Sequence, residues 1–138
     1  MTHTYDVIII GAGIVGAMTA RFLSKYDLKI LWIEKEADIG MGTSSANSAL
    51  VHAGYNAVPG TNKALTNARA VKMWPQLSQE LGIPYQRTGD YVVAVSEADM
   101  VTLEELLARG QANGVPGMEI IDGEAMRQRE PLIRPDTV

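Results

Sequence analysis

Asp6-Val-Ile-Ile-Ile-Gly-Ala-Gly-Ile-Val-Gly16 is the stretch that decides the fold. Its four consecutive β-branched residues, Val7 to Ile10, suit a strand covered on both faces, as strands of parallel sheets are. The glycine-rich turn follows without a gap. Beyond it Val15, Met18, Phe22 and Tyr26 recur at helical spacing, which predicts a helix to about Tyr26. A second apolar run, Leu28-Lys-Ile-Leu-Trp-Ile-Glu34, predicts another strand. Strand, short helix and strand make one right-handed crossover, so the two strands should lie parallel.

The spacing Gly11-x-Gly13-x-x-Gly16 is a weak signal by itself and a strong one in this setting. It leaves a strand, opens a helix and meets an acidic residue, Glu34, 23 residues beyond Gly11 at the end of the next strand. A dinucleotide-binding turn places that acid ~20 residues on. Gly11 permits the tight turn, Gly13 lets a pyrophosphate approach the backbone, and Gly16 lets helix and strand pack closely. The first helical residues, Ile14 and Val15, would present unpaired N–H groups and a partial positive charge to the diphosphate. Glu34 is suited to accept both ribose hydroxyls of an adenosine and to repel a 2′-phosphate, which disfavours NADP. The fingerprint leaves NAD and FAD open, and a solvated strand-end charge is the lesser alternative for Glu34 taken alone.

Composition narrows the class. The chain has 138 residues, of which 46% are hydrophobic and 20% charged, which excludes whole-chain disorder. With no cysteine there is no disulfide framework or thiolate chemistry, and two histidines, His3 and His52, make a histidine-rich metal site improbable; no metal is expected. The net charge of −4, with 12 scattered basic residues, argues against a nucleic-acid partner. The longest apolar stretch, Val7 to Ala20, contains three glycines and is shorter than the ~20 residues of a membrane span. Met1 to Asp6 lacks the basic start of a signal peptide. A soluble cytoplasmic protein is the expectation, with a peripheral place at a membrane left open.

Past Glu34 comes a loop of small polar residues, Gly40 to Ser48. A short strand is expected within Ala49–Tyr55 and a turn at Pro59-Gly60. Helical spacing runs from Asn62 to Leu81, but Pro75 removes a donor, so two helical pieces meeting near Trp74-Pro75 are predicted. Gly82 and Pro84 end that region. Tyr85–Arg87 and Tyr91–Val95 flank Thr88-Gly-Asp90 as a hairpin. Ser96, with Asp99 three residues on, starts a helix that Asn113-Gly114 ends. Met118–Ile121 reads as a strand and Asp122 as the cap of a last short helix. Trp32 and Trp74 read as packing residues, and Arg69 and Lys72 as a solvated helix face.

The turn, then Glu34-Lys35, Gly42-Thr-Ser-Ser45 and Val51-His-Ala-Gly54, resembles the N-terminal part of FAD-dependent oxidoreductases of the D-amino-acid oxidase superfamily. Asn47-Ser48, His52-Ala-Gly54, Pro59-Gly60 with Lys63-Ala-Leu65, Gly89-Asp-Tyr-Val-Val-Ala94 and Glu130-Pro131 resemble its glycerol-3-phosphate dehydrogenase and L-2-hydroxyglutarate oxidase branch. The resemblance implies FAD as cofactor, held by Gly11, Gly13, Ile14, Val15, Gly16, Glu34 and Lys35. It also implies that Thr43, Ser44 and Ser45 run past the pyrophosphate and ribityl chain, and that Asn47 and Ser48 pass near the flavin ring. At the flavin, His52 is implied as the proton-abstracting or flavin-contacting residue, a hydrogen-bonded structural histidine being the plainer alternative.

Two parallel strands and one crossover do not complete a doubly wound sheet. The expected fold is therefore α/β: the N-terminal part of a Rossmann-like FAD-binding domain at 1–82, then the start of an α+β substrate domain at 83–138, together an incomplete fragment. The implied activity is oxidation of a small secondary alcohol, such as glycerol 3-phosphate or a 2-hydroxy acid, by hydride transfer to flavin, with oxygen, a quinone or a partner protein as electron acceptor. Alternatives are a non-catalytic nucleotide-binding module or subunit, an amine or amino-acid oxidase of the same superfamily, and an NAD-dependent dehydrogenase.

Overall fold

Residues 3–138 are described by a computed structural model. Strand β1 (Val7–Ile10) pairs in parallel with β2 (Ile30–Ile33), Val7 opposite Ile30 and Ile10 opposite Ile33. Helix α1 (Ile14–Leu23) joins them, as a crossover between parallel strands requires. Backbone bonds extend the pairing at both ends, from Asp6 N–H to the Lys29 carbonyl at 2.9 Å and from Gly11 N–H to the Ile33 carbonyl at 2.8 Å. The Asp6 carboxylate closes the first end by accepting from Lys29 N–H at 2.8 Å.

One face of β1 is covered and the other is open. Ile9 is buried, its methyl 3.4 Å from where a Cβ on Gly16 of α1 would stand. Ile8 and Ile10, on the opposite face, are exposed. Helix α1 stops at Leu23 rather than Tyr26: the Ser24 hydroxyl donates to the Arg21 carbonyl, and Tyr26 N–H turns to the Leu23 carbonyl at 3.0 Å instead of continuing the i→i−4 ladder.

The chain divides into two compact units, one ending at Leu50 and one running from Val51 to Val138. The second holds α2 (Asn62–Leu81), α3 (Glu97–Ala112) and α4 (Gly123–Arg129). The Thr61 hydroxyl caps α2 by accepting from Ala64 N–H. Gly82, with φ 64°, ends it as predicted: its N–H reaches the Gln79 carbonyl and Ile83 N–H the Ser78 carbonyl, the paired bonds of a Schellman stop.

The predicted break at Pro75 does not occur. A single helix runs through it, since proline removes one ladder bond while the turns on either side keep theirs. Next to it Trp74 stacks on Tyr85, ring centroids 5.9 Å apart. The segments Tyr85–Arg87 and Tyr91–Val95 are not a hairpin, and neither Ala49–Tyr55 nor Met118–Ile121 is a strand: among the described residues no strand lies outside β1 and β2. A strand exists only by pairing, and β-branched composition supplies no partner.

The second unit is held together across its length by side-chain bonds to backbone carbonyls. Segment 54–57 is tied to α3: the Asn113 amide donates to the carbonyls of Gly54 at 2.9 Å and Ala57 at 2.7 Å, and Arg109 donates to that of Asn56 at 3.1 Å. Tyr55 donates its hydroxyl to Asp90 at 2.8 Å. Burial and that bond push the Tyr55 phenol up to about 12, so this phenol favours folding below the usual tyrosine range and loses that advantage as pH rises through its raised value. No helix among the described residues is long and apolar enough to cross a membrane.

Replacing Asn113 by alanine leaves two carbonyls without their donor and should cost about 1–3 kcal/mol, read as a lower denaturant midpoint. Asn113→Asp should cost more, because it sets a carboxylate oxygen against carbonyl oxygens.

Candidate dinucleotide-binding site

The site is built on the peptide between Gly11 and Ala12. Gly11 has φ 98°, a conformation open to glycine and costly for other residues. Its carbonyl accepts from the Trp32 indole Nε1–H at 2.9 Å. The Ala12 N–H donates to Glu34 Oε2 at 2.5 Å, and the Ala12 carbonyl accepts from Gly40 N–H at 3.0 Å. Strand β2 therefore delivers Glu34 to the mouth of the turn, where the glycine spacing predicts it.

Glu34 also accepts at Oε1 from the N–H groups of Lys35 at 2.8 Å and Glu36 at 3.1 Å. These bonds, the one from Ala12 foremost, hold its carboxyl below the usual glutamate range. A carboxylate offers about four acceptor positions, so one remains, on Oε2. The expectation that Glu34 takes both ribose hydroxyls narrows to one, unless a backbone N–H gives way.

Gly13 precedes α1 in extended conformation and brings no side chain to cap it. The Ser44 hydroxyl fills that role, accepting from Ile14 N–H at 2.8 Å. A Cβ on Gly13 would come within 3.0 Å of the same oxygen. Gly16 is tighter still: a Cβ there would stand 2.0 Å from the Gly11 carbonyl oxygen. The Val15 side chain is exposed. An open groove of about 440 Å³ runs past Ile10, Gly11, Gly13 and Ile14 to Ser44.

The remaining loop residues divide by what they touch. Ser45 turns its hydroxyl back to the Gly42 carbonyl. Asn47 braces the loop, donating to the Ser44 carbonyl and accepting from Ala49 N–H, each at 2.8 Å. Thr43 and Ser48 are exposed. Lys35 extends into solvent beside Glu36, 3.1 Å away, so its backbone N–H on Glu34 is its link to the turn. His52 belongs to the second unit; its side chain is exposed, and its carbonyl accepts from the Asn67 amide at 2.8 Å. Sequence reasoning missed Trp32 as a hydrogen-bond donor to the turn, and Gly40 as its backbone brace. Among the described residues no cluster of histidine and carboxylate side chains is placed to hold a metal.

A parallel strand pair, a glycine turn with room at Gly13 and an acid held at its mouth define a dinucleotide-binding α/β unit. These features fit the adenosine diphosphate part of FAD: a concave backbone for the diphosphate, a helix start behind it and an acceptor beside it for a sugar hydroxyl. The model of the family DAO, described as FAD dependent oxidoreductase, matches residues 6–138, and the chain belongs to that family. It is 46% identical over 129 residues to the glycerol 3-phosphate dehydrogenase of Caloramator mitchellensis, covering 94% of this chain and 27% of that protein. It is 37% identical over 129 residues to the mitochondrial L-2-hydroxyglutarate dehydrogenase of Caenorhabditis briggsae, covering 92% of this chain and 30% of that one. Among solved structures it resembles the dithionite-reduced L-alpha-glycerophosphate oxidase of Mycoplasma pneumoniae with FAD bound. That likeness has a TM-score of 0.82 and 30% identity, covering 99% of this chain and 36% of that one. The chain thus spans about a quarter to a third of the length of these relatives.

Gly16→Ala forces its methyl into backbone and should destabilise the protein by about 1–3 kcal/mol, whereas Gly13→Ala meets only a rotatable hydroxyl and should cost less; thermal unfolding of the two variants compares them. Glu34 has a second, pH-dependent signature. Because its folded pKa is lowered, its contribution to stability is fully present above the usual glutamate range and disappears as pH falls through the lowered value. Carboxyl-carbon NMR should accordingly show Glu34 titrating below a glutamate in an unfolded peptide.

Proposed function

We propose that this chain is the N-terminal, FAD-binding portion of an oxidoreductase that oxidises a small secondary alcohol, glycerol 3-phosphate or a 2-hydroxy acid such as L-2-hydroxyglutarate. The observation that carries the reading is the Glu34 carboxylate at hydrogen-bond distance from Ala12 N–H, which sets an acceptor for a ribose hydroxyl beside the glycine turn. The identity with the Caloramator mitchellensis glycerol 3-phosphate dehydrogenase supports the choice of substrate class.

When bound, FAD supplies the acceptor for the substrate's hydride. The protein's share is positioning and proton transfer. Gly11, Gly13 and Gly16 keep side chains out of the diphosphate's path, while Ile14 and Val15 N–H groups face it at the positive end of α1. Glu34 takes a ribose hydroxyl, with Lys35 holding the carboxylate through its backbone N–H. Ser44 exchanges its bond to Ile14 N–H for one to phosphate. Thr43 and Ser45 supply further hydroxyls, and Asn47 and Ser48 shape the loop towards the flavin. His52 takes the substrate's hydroxyl proton, a task for which imidazole is suited near neutral pH. In the whole protein residues 1–82 belong to the cofactor domain and 83–138 begin the substrate domain. A cytoplasmic location goes with this reading.

This chain by itself should not turn over substrate; the flavin-loaded whole protein should bleach in the visible range when given glycerol 3-phosphate or L-2-hydroxyglutarate without oxygen, and readmitted oxygen, a quinone or a partner protein then identifies the acceptor. His52→Gln should keep the flavin spectrum and slow bleaching about 10²-fold or more. A protein that takes up no FAD would overturn the cofactor reading, and an unchanged rate in His52→Gln would remove His52 from the chemistry.

A further inference from the structure

We infer that Trp32 is a positioning residue of the FAD site, holding the Gly11–Ala12 peptide in the orientation that lets Glu34 meet the cofactor's ribose. Its indole N–H lies 2.9 Å from the Gly11 carbonyl oxygen, and Glu34 Oε2 lies 2.5 Å from the Ala12 N–H. Those two groups are opposite ends of one planar trans peptide. Trp32 and Glu34 stand two apart at the end of β2, so both leave the strand on one side. One strand edge thus grips both ends of a single peptide plane.

The need for such a grip follows from the turn itself. Gly11 sits at φ 98°, where glycine gains its freedom and with it the freedom to rotate the next peptide. Gly16 has no side chain to stop that rotation, and a Cβ there would stand 2.0 Å from the Gly11 oxygen, so the space beside the carbonyl exists only because both residues are glycine. If the plane turned, Ala12 N–H would leave Glu34, and the carboxylate would lose the bond that contributes most to keeping it ionised. Trp32 is 40% exposed, more than a purely apolar core role would leave it. Its in-register partner is Ile9, so its ring rises from the face that α1 covers and reaches the turn across it.

The inference rests on the ribose being placed at Glu34, and three variants separate the two claims. The protein is stripped of flavin and titrated with FAD, following the quenching of flavin fluorescence. Trp32→Phe keeps an aromatic ring and loses the donor; it should weaken FAD binding about fivefold to tenfold, the size of one hydrogen bond. Trp32→Leu should weaken it to a similar degree. In a Glu34→Ala background the effect of Trp32→Phe should shrink, because the peptide it holds no longer serves the carboxylate. Trp32→Phe binding FAD as the parent does, with Trp32→Leu impaired, would reduce Trp32 to packing. An undiminished Trp32→Phe effect in the Glu34→Ala background would also overturn the role. Glu34→Ala binding FAD normally would instead remove the ribose placement, and the inference with it. A measurement on the unaltered protein needs no variant to fold: the Trp32 indole N–H should exchange with solvent far more slowly than free indole, and exchange at the free rate would contradict the bond.

Discussion

A single hydrogen bond, from Ala12 N–H to the Glu34 carboxylate, joins the two strands of the first unit to its chemistry. It demands that β1 and β2 run parallel and in register, so that the residue after Ile33 arrives beside the residue after Gly11. The turn, in its positive-φ glycine conformation, must then direct an N–H outward, and the negative charge must be held chiefly by hydrogen bonds. Backbone N–H groups from Ala12, Lys35 and Glu36 meet that last need, because a carboxylate that accepts several of them stays ionised without a salt bridge. The N–H of Ile14, left over by the helix start, is met meanwhile by the Ser44 hydroxyl. On the proposed reading the Ile14 N–H exchanges the Ser44 oxygen for one of the diphosphate, and the position left on Glu34 Oε2 takes a sugar hydroxyl.

Much of this was legible in the sequence because it is local. Four β-branched residues, three glycines at fixed offsets and an acid 23 residues beyond the first of them are short-range constraints with one common solution. The end of α2 and the start of α4 were legible for the same reason: Gly82 and Asp122 act within a few residues of themselves. What failed depended on partners. Tyr91–Val95 has strand composition, yet no neighbouring segment pairs with it among the described residues. Pro75 does remove a bond, but one missing bond does not divide a 20-residue helix. Trp32 was read by its apolar ring, whereas its function in the turn lies in its one polar atom. Ser44 could be singled out by family resemblance alone, since nothing in its neighbours' spacing distinguishes it from Thr43 or Ser45.

Membership of the DAO family and coverage of about a quarter to a third of its relatives' length give the exposed apolar residues a physical context. On β1 Ile8 is 56% exposed and Ile10 82%, and each such side chain would gain about 1.5–3 kcal/mol on full burial. The open face of β1 therefore keeps apolar surface in water beside a turn that is already formed. The site's geometry depends on β1, α1, β2 and the loop to Ser44, all within the first unit.

The central claim is that the glycine turn and Glu34 hold the adenosine diphosphate of FAD, and a crystal structure of the flavin-loaded protein tests it most directly. The account requires diphosphate oxygens within hydrogen-bond distance of the Ile14 and Val15 N–H groups and a ribose hydroxyl on Glu34 Oε2. A diphosphate bound elsewhere, or a Glu34 carboxylate turned away from the sugar, would contradict it.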